Sequence, residues 1–404
     1  MKKIKKLLFN PLRFIADSWF CKYAHLEDFK KTKNLFVLTH LGQLAQAEAL
    51  IKQEKLLNCV LIILYTKKNT KMPELVRKSS DPKLFNRVQQ LKIPSFPNKI
   101  HIKNLVYINN SYRELLAKIK PNRLFIFSFE KHYSLLAQRA IDRKIEVNLI
   151  EEGTATYKYN SLKEANFLIN SSLSAKERKT AFFIRTLPIF KELRPALSLF
   201  HNFKKVYAVF PELLKNTFSF KEGKEFFLYS DIEANKNILD IIRRYEISSN
   251  DIIFLNQRYP FPQTVYAKCL IHELSIYANR YHCKVFLKLH PKDPTELKDV
   301  LRNEIDCISM NSNIILIDEY GFLIESLIKE TSPKKVVALT STSLVYSGLL
   351  SKNTNSESIY LLIKEKMLEH INYDHKVFYE VEDHFNILKK FEKNISFINN
   401  SSEI

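Results

Sequence analysis

Val147-Asn148-Leu149-Ile150-Glu151-Glu152-Gly153-Thr154 joins an apolar run to two adjacent carboxylates and a glycine. A short apolar run that ends in a turn signal suits a strand buried on both faces, as in a parallel sheet. Similar runs flank it: Leu35–Thr39, Cys59–Tyr65, Leu105–Ile108 and Leu124–Phe127 upstream. Downstream come Ile252–Leu255, Val285–Leu289, Ile314–Ile317, Val336–Leu339 and Ile359–Ile363. The stretches Pro73–Gln90, Tyr133–Arg143, Thr264–Ala278 and Leu323–Ile328 have helical spacing. Strands alternating with helices predict βαβ units with right-handed crossovers. Two such sets predict an α/β chain with two Rossmann-like domains, residues 26–200 and 201–380. The boundary falls in Ser161–Phe220, which has poor periodicity. Residues 381–404 begin with helical spacing (Phe385, Leu388, Phe391) and are expected to pack back on the first domain.

Composition narrows the function. The chain has 404 residues, 63 Lys+Arg and 43 Asp+Glu, a net charge of +20. Its 46% hydrophobic content supports packed cores. The five glycines lie too far apart for G-x-G-x-x-G or a P-loop, which excludes glycine-built phosphate cradles. Five cysteines without C-x-x-C spacing, and no H-E-x-x-H, argue against a zinc site and suit a reducing compartment. No metal is expected. The charge fits nucleic acid, anionic lipid, or an acidic polymer or sugar nucleotide. The cations are spread along the chain without a solid block, which weakens the nucleic-acid reading.

No run reaches 18 uninterrupted apolar residues, so no transmembrane helix is expected. Residues 1–25 open with Lys2, Lys3, Lys5 and Lys6 beside Leu7, Leu8, Phe14, Trp19 and Phe20. Cations next to aromatics suit a segment lying in a lipid headgroup zone; an ordinary docked helix is the alternative.

Ligands of open α/β sheets bind beyond the carboxyl ends of strands. Four strand ends carry suitable chemistry. At Glu151-Glu152, side-chain alternation lets one carboxylate reach a cleft, where it could deprotonate a hydroxyl. Lys288-Leu289-His290-Pro291 puts a lysine and a histidine on one side, suited to a phosphate, although a surface loop explains His290 as well. Thr340-Ser341-Thr342-Ser343 opens a helix and could bind an anion through hydroxyls and backbone N–H groups, or simply cap it. Thr39-His40-Leu41-Gly42-Gln43 is a candidate substrate-side loop or a plain turn. Together they suggest a cleft with an acceptor on one half and a nucleotide on the other.

At this point the sequence resembles a known family. E-E-G at Glu151–Gly153, H-P at His290–Pro291 and the hydroxyls of Ser341–Ser343 resemble the motif set of bacterial sialyltransferases with the GT-B fold. Longer strings are similar to the capsule polysialyltransferases: LIEEGTATYK (Leu149–Lys158), THLGQL (Thr39–Leu44), TKKNTKMP (Thr66–Pro73), NQRY (Asn256–Tyr259), FLIES (Phe322–Ser326) and LTSTSLVY (Leu339–Tyr346). So is NPLRFIADSWF (Asn10–Phe20). The likeness runs from about residue 5 to about residue 395.

The resemblance implies a GT-B architecture, two Rossmann-like domains facing a central cleft. It implies inverting, metal-independent transfer from CMP-sialic acid to the non-reducing end of a sialyl polymer. The place implied is the cytoplasmic face of the bacterial inner membrane, peripheral, beside the capsule export machinery, with no nucleic-acid partner and no cofactor. Glu152 resembles the general base and His290 the residue at the leaving phosphate. Lys288, Pro291, Ser341, Thr342 and Ser343 fall at the phosphate, and Glu325 at the ribose. His40, Gln43, Lys67, Lys68, Lys71, Arg123, Lys131 and Arg258 are candidates for binding the polyanionic acceptor. Thr342 and Leu289 depart from the family pattern without removing a hydroxyl or the imidazole. A mono-sialyltransferase of lipooligosaccharide, a mixed-sugar capsule polymerase and a basic nucleic-acid-binding protein are the alternatives.

Overall fold

The computed structural model describes residues 33–67, 71–94, 100–290, 293–308, 313–319, 322–370 and 376–404. The expected membrane segment 1–25, Lys68 and Pro291 lie outside them. The chain divides into two units, 1–228 and 229–404.

The first unit holds a sheet in the order β3-β2-β1-β4-β5-β6-β7. Its strands are β1 (Asn34–Leu38), β2 (Cys59–Tyr65), β3 (Phe85–Lys92), β4 (Arg123–Ile126), β5 (Glu146–Ile150), β6 (Asn202–Ala208) and β7 (Ser219–Glu225). Every pairing is parallel. The crossovers carry α1 (Leu41–Gln53), α2 (Lys71–Ser79), α3 (Ile102–Ile119), α4 (His132–Ile141), α5 (Leu162–Ser171) and α6 (Ala175–Thr186). All five residues of β1 are buried, as a central parallel strand requires. Phe36 and Phe125 stack across β1 and β4 with centroids 4.5 Å apart.

In the second unit the order is β10-β9-β8-β11-β12-β13, again all parallel. The strands are β8 (Ile252–Leu255), β9 (Val285–Lys288), β10 (Ile314–Ile317), β11 (Lys335–Ala338), β12 (Asn355–Ser358) and β13 (Ser396–Phe397). Its helices are α7 (Lys236–Tyr245), α8 (Gln263–Tyr281), α9 (Thr295–Ile308), α10 (Ile324–Thr331), α11 (Ser343–Leu350), α12 (Tyr360–His370) and α13 (Lys376–Leu388). Counted within this sheet the order reads 3-2-1-4-5-6, the doubly wound Rossmann arrangement. The two Rossmann-like parallel-sheet units expected of the chain are both present.

Several expectations need correction. The division falls after Leu228, not near residue 200, because β6 and β7 complete the first sheet. These two strands had no visible period: β7 is an edge strand, SFKEGKE, with no buried residue. Leu105–Ile108 lies in α3, not in a strand. Its buried positions Leu105, Ile108, Tyr112, Leu115 and Ile119 follow a helical period that a four-residue apolar run hides. The helix expected over Pro73–Gln90 stops at Ser79, and β3 follows as a polar edge strand. Ile359–Ile363 mostly opens α12.

The tail 381–404, expected to reach the first domain, falls within the second unit. Val381, Phe385, Ile398 and Ile404 belong to the core of the second unit. Phe385 packs on Tyr360 at 4.9 Å and edge-on to Phe397 at 5.4 Å, and β13 extends the second sheet beside β12. Tyr281 donates to the Ile404 carbonyl at 2.5 Å. The physical reason is that β12 would otherwise end the sheet as an unpaired edge. Phe385→Ala is therefore expected to destabilise the second unit by about 3–5 kcal/mol. Hydrogen exchange of the full chain should show protection lost across β8–β13 and kept across β1–β5.

Candidate active site

Each sheet reverses its strand order next to its first strand, at β1/β4 and at β8/β11. That switch point is where such sheets take ligands. Beyond these strands and their neighbours lie all four motif loops.

In the first unit the two adjacent acids part ways. Glu151 is 3% exposed, and its Oε2 accepts from the Val209 N–H at 2.6 Å and from the Tyr157 hydroxyl. Gly153 has φ 142°, ψ −164°, a conformation open essentially to glycine alone, and it turns the chain into the short helix Thr154–Tyr157. The Glu152 N–H then meets Thr156 Oγ1 at 3.1 Å. The Glu152 side chain keeps 37% exposure.

Two residues from the other side of β4 hold that carboxylate. His40 Nε2 and Gln43 Nε2 both lie 2.8 Å from Glu152 Oε1. Gln43 is buried, and its own oxygen accepts from the Thr39 N–H at 2.8 Å and hydroxyl at 3.1 Å. With the oxygen so occupied, the amide NH₂ must face Glu152. A Cβ on Gly42 would come within 3.3 Å of the His40 ring, so glycine there leaves the imidazole its place.

Close by, Lys131 has φ 53° and ψ −121°, a backbone state that costs a non-glycine residue about 1–3 kcal/mol. It precedes His132, whose Nδ1 lies 2.8 Å from the Tyr112 hydroxyl and whose pKa is pushed down to about 4, mainly by burial. The Tyr133 hydroxyl is buried without a hydrogen-bond partner. Burial and then the charge of Glu152 hold its phenol above the ordinary range. Sequence reasoning missed Tyr133, because one tyrosine in an apolar helix gives no signal.

In the second unit a short relay fixes the turn after β9. Asp293 Oδ2 accepts from the His290 N–H at 2.8 Å and from Asn256 Nδ2 at 2.7 Å. Asn256 Oδ1 accepts from the Tyr266 hydroxyl at 2.5 Å. Asp293 was also missed; its signal is an acid three residues after the histidine, placed to reach back to the His290 N–H. Lys288 ends β9, buried, with Nζ donating to the Leu289 carbonyl at 2.7 Å and lying 5.1 Å from the Phe322 ring centroid. Burial pushes its pKa down to about 8, against the pull of Asp293, Glu319 and Asp318.

The hydroxyl cluster is more committed than expected. Ser343 Oγ donates to Glu325 Oε1 at 2.8 Å, Ser341 Oγ accepts from the Ser343 N–H at 3.3 Å, and the Thr340 N–H meets the Tyr259 hydroxyl at 3.3 Å. Glu325 is buried, and desolvation raises its pKa. Ser343 and Glu325 thus satisfy each other. The Ser343 hydroxyl, expected at the phosphate, here gives its proton to a buried carboxylate.

Among the acceptor candidates, Lys67 beyond β2, Lys71 at the start of α2, Lys131 and Arg258 beyond β8 are exposed near carboxyl ends of strands. Arg123 is not. It opens β4 opposite Glu146, with Nε 3.6 Å from Glu146 Oε2. At about 3.3 Å per residue it stands roughly 15–20 Å from Glu152, at the amino ends of the strands. Its place directly before the run Leu124–Phe127 already put it at the amino end of that strand.

The alpha-2,8-polysialyltransferase family model matches residues 34–360. The chain belongs to the alpha-2,8-polysialyltransferase family. No curated protein sequence matches it. Among solved structures it is similar to the UDP-GlcNAc 2-epimerase from Methanocaldococcus jannaschii, at 13% identity and a TM-score of 0.49, covering 89% of this chain and 92% of that one. A UGT transferase from Siraitia grosvenorii in complex with UDP shows 12% identity and a TM-score of 0.49, covering 90% and 95%. MurG of Acinetobacter baumannii shows 11% and 0.47, covering 93% and 87%. Membership of this polysialyltransferase family makes the chain a sialyltransferase.

The two acids of the family member are separable by stability. Glu151→Gln should cost about 1.5–3 kcal/mol, because the Val209 N–H and the Tyr157 hydroxyl lose a charged acceptor. Glu152→Gln should stay within about 1 kcal/mol of the parent. Urea unfolding midpoints of the two variants check this.

Proposed function

We propose that the chain elongates polysialic acid by transferring sialic acid from CMP-sialic acid to the non-reducing end of a sialyl acceptor, with inversion. The bond from the anomeric carbon to the CMP phosphate breaks as the bond to the acceptor oxygen forms. Glu152 takes the acceptor hydroxyl proton, and the electron pair of the broken bond leaves with CMP. The reading is supported most by Glu152 itself. Of two neighbouring carboxylates it is the one that reaches solvent, and His40 and Gln43 aim it. The hydrogen bond from Gln43 fixes Glu152 Oε1 in place and leaves its second oxygen for an acceptor hydroxyl proton.

His290 is assigned to the departing phosphate, with Lys288, Pro291, Ser341 and Thr342 around it. Negative charge grows there as the bond lengthens, so cationic and hydroxyl donors favour the transition state. Glu325 acts through Ser343 in this scheme and shapes the start of α11. Lys67, Lys68, Lys71, Lys131 and Arg258 are proposed to meet the acidic acceptor. Transfer is proposed to need no metal, with an unchanged rate in EDTA. The work is placed at the cytoplasmic face of the inner membrane, in capsule synthesis.

A labelled sialyl-oligosaccharide with CMP-sialic acid should give a ladder of products. A single added residue would point to a mono-sialyltransferase instead. Glu152→Gln should lower transfer by about 10²–10⁴-fold and leave CMP binding near the parent value. Lost CMP binding would make Glu152 a structural residue. His290→Ala should cut turnover to a similar degree, and near-parent rates would remove it from the scheme.

Lys288 adds a pH dependence. Its pKa of about 8 in the fold means the ammonium is present below that pH and absent above it. CMP affinity should therefore fall as pH rises through about 8. Lys288→Met should flatten that titration, read by calorimetry at matched ionic strength. For folding the sign is opposite. The unfolded lysine binds its proton more tightly, so the burial cost is full below about pH 8 and relieved towards the ordinary lysine value.

A further inference from the structure

Most exposed apolar side chains in this chain are scattered singly, as on any soluble surface. Among the described residues, fourteen large ones are exposed, and six of these fall between residues 167 and 189. They are Phe167, Leu168, Phe182, Phe183, Leu187 and Ile189. Phe167 is 70% exposed and Phe182 is 61% exposed. They sit on α5 and α6 and on the turn that follows, in the first unit. Residues 172–174 join the two helices, and the Arg185 guanidinium donates to Asn170 Oδ1, tying one to the other. Phe167 and Phe182 each stand three residues before a member of that bond, on the same helix face as it.

The charge around this patch is one-sided. Lys163, Lys176, Arg178, Lys179 and Arg185 are exposed. Both acids of the pair of helices are engaged near the helix N-termini, Glu164 half-buried and Glu177 buried. Glu164 accepts from the Asn160 N–H at 2.6 Å. Glu177 is buried, closes the capping box with Ser174, and accepts from the Ile100 N–H at 3.1 Å. The carboxylates are thus spent on backbone donors, while the cations face water beside exposed phenylalanines.

We propose that α5 and α6 form a docking surface for an anionic lipid bilayer. Phe167, Phe182 and Phe183 enter the headgroup–acyl boundary, and the flanking cations meet lipid phosphates. A partner made of protein would more often bring acids to match such cations within a defined pocket; a lipid surface supplies mobile anions and apolar depth together. The proposal rests on the reading that the chain works at a membrane face, and stands apart from the assignment of the reaction and from residues 1–25.

The test is vesicle sedimentation of the full chain with phosphatidylglycerol and with phosphatidylcholine vesicles. The parent should bind the first far better, and the binding should weaken with salt. The triple variant Phe167→Ser, Phe182→Ser, Phe183→Ser should lose roughly a hundredfold in partitioning to phosphatidylglycerol. Because these side chains are exposed, its thermal midpoint should stay near the parent's. A second variant, Lys176→Gln, Arg178→Gln, Lys179→Gln, should lose roughly tenfold or more on phosphatidylglycerol and little on phosphatidylcholine. Unchanged partitioning of both variants overturns the proposal. So does a parent dimer that the triple variant dissolves while vesicle binding persists, which would make the patch an interface between copies.

Discussion

The buried carboxylate of Glu151 is the constraint on which the first unit's site rests. A charge so far from water is stable only when its oxygens are met by donors. The Val209 N–H and the Tyr157 hydroxyl meet it, from β6's end and from the short helix after Gly153. With Glu151 fixed inward, alternation along the strand sends Glu152 outward. The end of β1 then completes the arrangement across β4. Thr39 occupies the Gln43 oxygen, so the Gln43 nitrogen has one direction left, towards Glu152. Positioning of the outer acid is therefore inherited from three strand ends and owes little to its own side chain.

The second unit solves a related problem with different chemistry. Asp293 holds the backbone of His290 and the amide of Asn256 together, which ties the ends of β8 and β9. Lys288 is left in a place that disfavours its own charge. A cation in such a place gains more from an incoming anion than a solvated one does, because less water competes for it. Burial of Lys288 and the proposed binding of a phosphate there have one physical origin.

The parallel-sheet class and most strands were legible in the sequence, because a strand covered on both faces must be apolar at every position. Runs such as Leu105–Ile108 misled, since four apolar residues fit a helix face as well as a strand. The edge strands β3 and β7 were invisible for the converse reason: one side of each lies at the rim, so nothing forces an apolar pattern. Glu152, His40 and Gln43 were legible as strand-end residues, but their mutual contact was not, being set by register across β4. Arg123 differs. Composition marks a cation, and its place before or after the strand run says which end of the sheet it occupies.

The hydroxyl cluster teaches a further point about counting. Four adjacent hydroxyls exceed what one helix cap needs, and that excess argued for a ligand. Two of them meet protein partners: Ser343 donates to Glu325, and Thr340 stands beside Tyr259, while Ser341 accepts from the Ser343 N–H and keeps its own proton to donate. The acids behave alike. Glu151, Glu164, Glu177 and Asp293 all serve backbone donors. A formal charge of +20 does not say which charged groups stand at the surface, and these carboxylates are held against backbone while many cations are exposed. The charged side chains that a polyanion or bilayer could touch directly near α5 and α6 are accordingly mostly cations.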